Sequence, residues 1–583
     1  MRNRWFISAL ALAACAGSGE QGATDRATLI APQSLATVTQ QRPTLRWASS
    51  SKNAMEAELC ADRACAHRLS IATELGDDQR SAVPTQPLPT GWVYWRVRDT
   101  SGAQTSATWQ FWIGAASATN PVDTSSGAVL DVNGDGRPDF LVGSPGQGGR
   151  VYLYLGGDHP SAADWNAATS PARIDIASPD PSSLQFGYTV ASAGDVNGDG
   201  YGDFLVGTRN ADQPPGAVRL YLGSATPSAA DWNGPTAARR IDLVNPDGPG
   251  SAVGSVVAGA GDVNGDGFAD FLVASEASAQ TAPAVYLHLG SAQPTATGWS
   301  APASAARIQI KIGASAVAAA GDVNGDGYSD FLIGNATPLG PPSHLYLGGS
   351  AVSASDWNGD PTAPRRIDLI SPDGLEGNFG DAVASAGDVD GDGYSDFLIG
   401  APEFDDGAGV VHLYFGSAAP MPSQWNGLVP PSKRIDLGVH PGLALLGASV
   451  APAGDVDGDG RGDFLIGEPE ADTFGVAHLY LGAGVADPET AWKGTLATAR
   501  IDLGNPIANN GGFGGRVAGV GDVNGDGHID FLISQFGFAA FCLGVPQPSA
   551  ASWAGATTQR LDLTSPGIEG HQANYGNSVA SGN

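Results

Sequence analysis

Asp322-Val-Asn-Gly-Asp-Gly-Tyr-Ser-Asp-Phe-Leu332 decides how this chain is read, because near-copies of it recur seven times, starting at Asp131, Asp195, Asp262, Asp322, Asp388, Asp455 and Asp522. Successive copies lie 64, 67, 60, 66, 67 and 67 residues apart. A period that long and steady marks a repeat fold with one structural unit per period. The stretch also alternates carboxylates with glycine, which is the chemistry of a cation loop.

The rest of the composition agrees with a repeat array of short strands. The 583 residues include 82 Gly and 40 Pro but only 15% charged residues, a pattern of strands joined by tight turns. The formal net charge is -31, and the seven loops hold 23 of the 60 carboxylates. Seven divalent cations would bring -31 to -17, so much of the acidity is internal site charge. The remainder argues against nucleic acid and anionic membrane surfaces as partners.

Residues 1–14 are basic at the start and then apolar over a length too short to span a bilayer, as in an export signal. Leu12-Ala13-Ala14-Cys15 is similar to the bacterial lipobox, which implies cleavage before Cys15 and lipidation of that residue. Cleavage as an ordinary secretory signal near Ala14 or Ala16 is the alternative. Ala16 in place of an aspartate fits onward transport to an outer membrane, so the expectation is an exported protein anchored at the bacterial outer membrane or cell surface without spanning it. Residues 15–26 read as a lipidated tether. Cys60 and Cys65 are close enough in sequence for a small disulfide loop, and Cys542 takes the place that Tyr480 has one unit earlier.

From 27 to 115 the repeat is absent. Pro43-Thr-Leu-Arg-Trp47, Gly91-Trp-Val-Tyr-Trp-Arg-Val-Arg98 and Thr108-Trp-Gln-Phe-Trp112 alternate as aromatic-rich strands, and the segment resembles a fibronectin type III or immunoglobulin-like sandwich. Its tryptophans suit a core, with a glycan platform as the other reading. From 118 to 583 every unit has the same internal order. In the fifth, Phe379-Gly-Asp-Ala-Val-Ala-Ser is a strand, the acidic loop follows, and Phe397-Leu-Ile-Gly-Ala-Pro402 begins directly on the loop. Val410-Val-His-Leu-Tyr-Phe-Gly416 is a third strand, and Arg434-Ile-Asp-Leu, or Arg366-Ile-Asp-Leu of the unit before, supplies the fourth. Four strands per unit in seven units predict an all-β fold, a seven-bladed β-propeller. Phe-Leu-Ile is apolar on consecutive residues because a blade is covered on both faces.

These units resemble FG-GAP repeats, the blades of the integrin alpha-chain propeller and of many bacterial surface proteins. Phe186-Gly187, Phe379-Gly380, Phe513-Gly514 and Tyr575-Gly576 carry the first half of the motif, with Val253-Gly254, Ile312-Gly313 and Leu446-Gly447 as looser versions. Gly143-Ser-Pro145, Gly400-Ala-Pro402 and Gly467-Glu-Pro469 carry the second. The first copy lacks the Phe-Gly signal, while the chain ends in Tyr575-Gly-Asn-Ser-Val-Ala-Ser-Gly-Asn583, which has that signal and no loop after it. The C-terminal strand is therefore expected to complete the first blade and close the ring, the alternative being a truncated eighth blade.

Calcium takes six to eight oxygen ligands in irregular geometry, which suits such loops. The expected ligands are positions one, three, five and nine, with the backbone carbonyl of position seven. In chain order these are Asp131, Asn133, Asp135, Arg137 and Asp139; Asp195, Asn197, Asp199, Tyr201 and Asp203; Asp262, Asn264, Asp266, Phe268 and Asp270; and Asp322, Asn324, Asp326, Tyr328 and Asp330. The last three sets are Asp388, Asp390, Asp392, Tyr394 and Asp396; Asp455, Asp457, Asp459, Arg461 and Asp463; and Asp522, Asn524, Asp526, His528 and Asp530. Up to seven calcium ions are expected. An EF-hand loop needs an acid at position twelve, which here is always Val or Ile. Magnesium, with its strict octahedral geometry, is less apt.

Trp165, Trp232, Trp299, Trp357, Trp425, Trp492 and Trp553 recur once per unit, as packing anchors or as sugar pockets. His288, His344, His412 and His478 are read as falling on equivalent third-strand positions, and as scaffold. Arg461-Gly-Asp463 spells an adhesion tripeptide, but Asp463 belongs to a cation loop. No catalytic set stands out. The family resemblance implies that ligands bind the face opposite the loops, where Arg209-Asn-Ala-Asp212, Glu403-Phe-Asp-Asp406 and Glu468-Pro-Glu-Ala-Asp472 fail to repeat. The expected function is a surface-anchored calcium-binding module for adhesion to, or binding of, an extracellular protein or glycan, as a monomer. A calcium-dependent carbohydrate-active lyase or hydrolase, or a lectin, is the alternative.

Overall fold

The computed structural model describes residues 27–113 and 129–580, except for 33–36, 39–40, 49–53, 77–78, 90, 101–104, 107, 147, 181–184, 210–215, 235–236, 244–252, 277–281, 301–303, 337–342, 359–362, 373–376, 428–431, 439–442, 460, 483–490, 494–498, 508–510, 555–558 and 566–574. The signal stretch, Cys15, the tether and the segment Asn210–Asp212 lie outside the described residues. Among the described residues no helix is long and apolar enough to cross a membrane.

The first two sheets come from residues 28–113. One has the order Thr28–Ala31, Leu45–Ala48, Ser81–Pro84, Thr73–Leu75, and the other Thr37–Val38, Trp109–Ile113, Gly91–Asp99, Met55–Cys60. Both feed one core that contains Trp47, Trp95 and Trp109. Trp95 and Trp109 meet edge to face at 6.4 Å, so these three indoles are core and no glycan platform. Cys60 and Cys65 are joined in a disulfide.

Among the described residues, seven further four-stranded antiparallel sheets follow, an arrangement that fits a β-propeller. In the fifth repeat the strands are Ala382–Gly387, Asp396–Ala401, Val410–Tyr414 and Arg434–Leu437. The fourth strand thus comes from the same repeat as the first three. In the first repeat the innermost strand is Ser578–Ala580, paired with Leu141–Gly143 of the chain's first acidic repeat. The innermost strands neighbour one another in sequence order, and Ser578–Ala580 neighbours both Arg516–Gly521 and Phe186–Gly194, which completes a ring. Tyr575 is fully buried, and its hydroxyl meets that of Tyr154 at 2.6 Å.

Alternation along the second strand explains the packing between sheets. Leu205 faces one neighbour with Val196 and Leu220, and there meets Phe271, Val273 and Trp299 of the next repeat. Phe204 and Val206 point the other way, onto Leu141, Leu153 and Ile176 of the repeat before. The seventh repeat meets the first by the same rule, with Leu532 and Leu563 against Phe140, Tyr154 and Trp165. Five of the repeated tryptophans, Trp165, Trp232, Trp357, Trp425 and Trp553, end a four-residue helix, and all seven lie edge-on to the phenylalanine that follows the loop, as Trp425 does to Phe397 at 5.3 Å. All seven are at most 3% exposed, which makes them packing anchors without a solvent-open sugar surface.

The next residue adds a clasp that the sequence reading did not assign. Asn233 accepts from the Ala177 N–H at 3.1 Å, and Asn358 and Asn426 likewise reach back to Lys311 and Ile370, the residues directly after the fourth strand of the preceding repeat. Asn166 closes the circle, donating to the Asp562 carbonyl at 2.8 Å and accepting from the Thr564 N–H at 3.0 Å. One sequence expectation needs correction. His344, His412 and His478 pair with Ile333, Ile399 and Ile466, whereas His288 pairs with Phe271, the place held by tyrosine in five other repeats and by Cys542 in the seventh. His288 is stacked on Phe271 at 4.8 Å as a tyrosine substitute.

Candidate functional site

Six of the acidic loops link the end of an innermost strand to the start of the second strand, and the first, whose innermost strand is Ser578–Ala580, runs into its second strand Phe140–Ser144 in the same way, so all seven emerge on one face. Their geometry repeats closely. In the fifth, Asp388 Oδ1 accepts from the Asp392 N–H at 3.0 Å and Oδ2 from the Gly393 N–H at 2.8 Å. Asp390 Oδ1 accepts from the Asp392 N–H at 3.0 Å, and Asp392 Oδ1 from the Tyr394 N–H at 3.1 Å. Gly391 and Gly393 sit at φ 75 and 90, which residues with a side chain rarely adopt.

Position nine has a second task. Asp396 Oδ2 accepts from the Val389 N–H and Oδ1 from the Gly416 N–H, both at 2.9 Å. The same pair of bonds recurs at Asp139, Asp203, Asp270, Asp330, Asp463 and Asp530. This carboxylate ties the loop to the end of the third strand. The receiving glycine is fixed by space, since a Cβ on Gly416 would lie 2.6 Å from the Ser395 carbonyl oxygen. That glycine follows the third strand in all seven repeats, a signal in the sequence that went unused.

Position five is treated in two ways. Where position three is asparagine, its amide donates to the carboxylate at position five, as Asn324 does to Asp326 at 3.1 Å. Where position three is aspartate, a basic side chain takes over: Lys433 on Asp392 and Arg461 on Asp459, each at 3.0 Å. In these two loops three carboxylates converge. Oxygens of Asp388, Asp390 and Asp392, and of Asp455, Asp457 and Asp463, lie within 4.8 Å of one another.

Clustered buried carboxylates raise one another's pKa. Burial, with help from Asp135, pushes Asp131 up to about 7. Burial also lifts Asp262, Asp322 and Asp388 to about 7, and Asp195 and Asp522 to about 6. The position-nine carboxyls are pushed well above the usual range by burial first and their loop neighbours second. Such a set of hard oxygen donors fits a divalent cation, whose charge would offset the repulsion.

The opposite face carries a different feature. A cavity of about 630 Å³ lies where the innermost strands begin, lined by backbone and small residues of those strands together with Tyr188, Arg209, Glu276, Asp381 and Arg516. Arg209 donates to the Tyr188 hydroxyl at 3.0 Å and approaches Glu276 at 3.8 Å. Burial raises the Asp381 carboxyl, and Arg516 opposes the shift. Of the non-repeating connections, Arg209 is at this cavity, whereas Glu468 belongs to no surface. It is fully buried, with its Oε2 2.8 Å from Nε2 of His478, whose Nδ1 lies 2.7 Å from Asp502.

Comparison with known proteins agrees with this architecture. The FG-GAP repeat family matches residues 124–154, 186–222 and 379–414, and the FG-GAP-like repeat matches 262–333. The chain is 29% identical to integrin alpha-V of Gallus gallus over 245 residues, 40% of this chain and 21% of that protein. It is 30% identical to integrin alpha-4 of Xenopus laevis over 152 residues and 32% identical to integrin alpha-PS3 of Drosophila melanogaster over 163 residues. Those matches cover 26% and 27% of this chain and 14% of each relative, so only a minor part of the relatives' length is shared. The chain thus carries FG-GAP repeats and is similar, over part of its length, to integrin alpha chains.

Proposed function

We propose that this FG-GAP repeat chain is a seven-bladed, calcium-stabilised propeller at the cell surface, which binds an extracellular protein or glycan on the face opposite its acidic loops. The observation that carries the reading is the division between the two faces. One holds seven loops of nearly identical geometry, whose carboxylates are raised in pKa by burial first and by one another second, and in two of which three carboxylates converge. The other holds an axial cavity whose arginines and carboxylates do not repeat around the ring. Identical loops serve the scaffold, and non-repeating residues serve recognition. In this proposal residues 27–115 form a sandwich-like spacer between a lipid at Cys15 and the propeller, and no catalysis is assigned.

Arrays of glycans and extracellular proteins, probed with the full chain in calcium and in chelator, test it. The expected result is a ligand retained in calcium, lost in chelator, and lost with Arg516→Glu or Arg209→Glu. Binding that survives both charge reversals places the ligand elsewhere. A melting temperature unmoved by chelation refutes the calcium role.

A further inference from the structure

Acidic loops two and three differ from the others in what lies against them. The disulfide loop Cys60–Cys65 projects Arg63 from the N-terminal sheets onto the loop face of the propeller. Its guanidinium carbon sits 4.4 Å from the ring centroid of Phe268, at position seven of the third loop. Nη2 donates to Gln110 Oε1 at 2.8 Å, and fully buried Gln110 in turn donates through Nε2 to Oδ2 of Asp195, position one of the second loop, at 3.4 Å. Trp109 Nε1 reaches the Gly265 carbonyl of the third loop at 3.5 Å. The other two guanidinium nitrogens, Nε and Nη1, are buried without a hydrogen-bond partner. A buried charge with idle donors is costly unless an opposite charge is near. Here that charge is supplied by the loops, because Arg63 is among the influences that lower the carboxyls of Asp195, Asp262 and Asp266 against the rise from burial.

We infer that Arg63 docks the N-terminal domain on the propeller as a built-in counter-ion of loops two and three, so that domain docking and divalent-cation occupancy of those two loops oppose each other. The inference rests on the reading of the loops as cation sites. A guanidinium beside a cation site repels the incoming ion, and the coupling is reciprocal: what Arg63 takes from cation affinity, a bound cation takes from docking. The disulfide makes the arrangement rigid, since Cys60 and Cys65 pack with Tyr94 beneath the projecting loop.

The test uses the full chain and calcium itself. Calorimetric titration of the wild type is expected to show two sites weaker than the rest by on the order of tenfold, within the usual span of such couplings. Arg63→Met, which keeps the packing on Phe268 and removes the charge, is expected to bring those two sites up to the affinity of the others, and Arg63→Lys to leave them weak. Hydrogen exchange on the wild type is expected to quicken in peptides covering residues 60–68 when calcium is added. This measurement decides alone if Arg63→Met does not fold. Exchange there that is unchanged or slowed by calcium overturns the inference, and so does an Arg63→Met titration that superimposes on the wild type. Either result with calcium still bound leaves the reading of the loops standing; absence of any calcium binding overturns both.

Discussion

Replacing Asp396 by asparagine tests whether position nine is a strut as well as a ligand. Its two oxygens hold the Val389 and Gly416 N–H groups, each at 2.9 Å, in a site closed to solvent. A side-chain amide accepts at only one of its two ends, so Asp396→Asn leaves one buried N–H facing an NH2 group. An unpartnered buried donor costs about 1–3 kcal/mol. This part of the loss is expected in chelator as well as in calcium, because neither bond involves a cation, and in calcium the loss of a charged ligand adds to it. Asp390→Asn is the matching control with the opposite sign in chelator. Burial first and Asp392 second raise the Asp390 carboxyl, and an asparagine there can donate to Asp392 as Asn324 does to Asp326. The metal-free protein should gain stability, while calcium, facing one charge fewer, should stabilise it less. Urea unfolding of the three proteins in calcium and in chelator reads both effects. Wild-type stability of Asp396→Asn in chelator would refute the strut.

Three further outcomes are expected. Tyr575→Phe strands the buried Tyr154 hydroxyl and should cost about 1–3 kcal/mol by denaturant unfolding, whereas Tyr575→Ala should cost about 3–5 kcal/mol and open the ring to limited proteolysis. Trp425→Ala removes a fully buried anchor whose indole donates to the Phe415 carbonyl at 3.0 Å, and should cost about 3–5 kcal/mol whether or not calcium is present. The pH dependence should reverse with metal. Asp131, Asp262, Asp322 and Asp388 have folded pKa values near 7, above their unfolded value, so their contribution in metal-free protein is fully present below about pH 4 and is lost as pH rises towards 7. Calcium binds the ionised form, and should stabilise more as pH rises over the same window. Melting temperatures at pH 5 and 7.5, with calcium and after its removal, check both slopes; parallel slopes would contradict the raised carboxyls.

Much of the fold was legible because each repeat is specified locally. Gly391 and Gly393 dictate a turn, Phe397-Leu-Ile dictates a strand covered on both faces, and the period places the next copy. The pairing of Ser578–Ala580 with Leu141–Gly143 has its trace in the sequence as well, in a first loop with no Phe-Gly signal before it and a Tyr575-Gly576 with no loop after it. The third-strand histidines were not resolved by type alone, since His288 and His344 differ by two positions in register and only the pairing separates them. Glu468 looked like a loop-tip acid, yet it closes the second strand Asp463–Glu468 and turns inward to His478, because strand alternation assigns faces that a turn-like composition conceals.

The amino-acid sequence by itself determined the repeat, the loops and the complementarity of the termini, since all three depend on interactions between residues near in the chain or on counting. What the tertiary structure alone decided are contacts between residues far apart in sequence: Asn166 on Thr564, Tyr575 on Tyr154, and Arg63 with Gln110 against loops two and three. No local preference encodes such pairs. They exist because closing a ring of twisted sheets brings its first and last repeats into register, and because residues before the ring come to rest against two of its acidic loops.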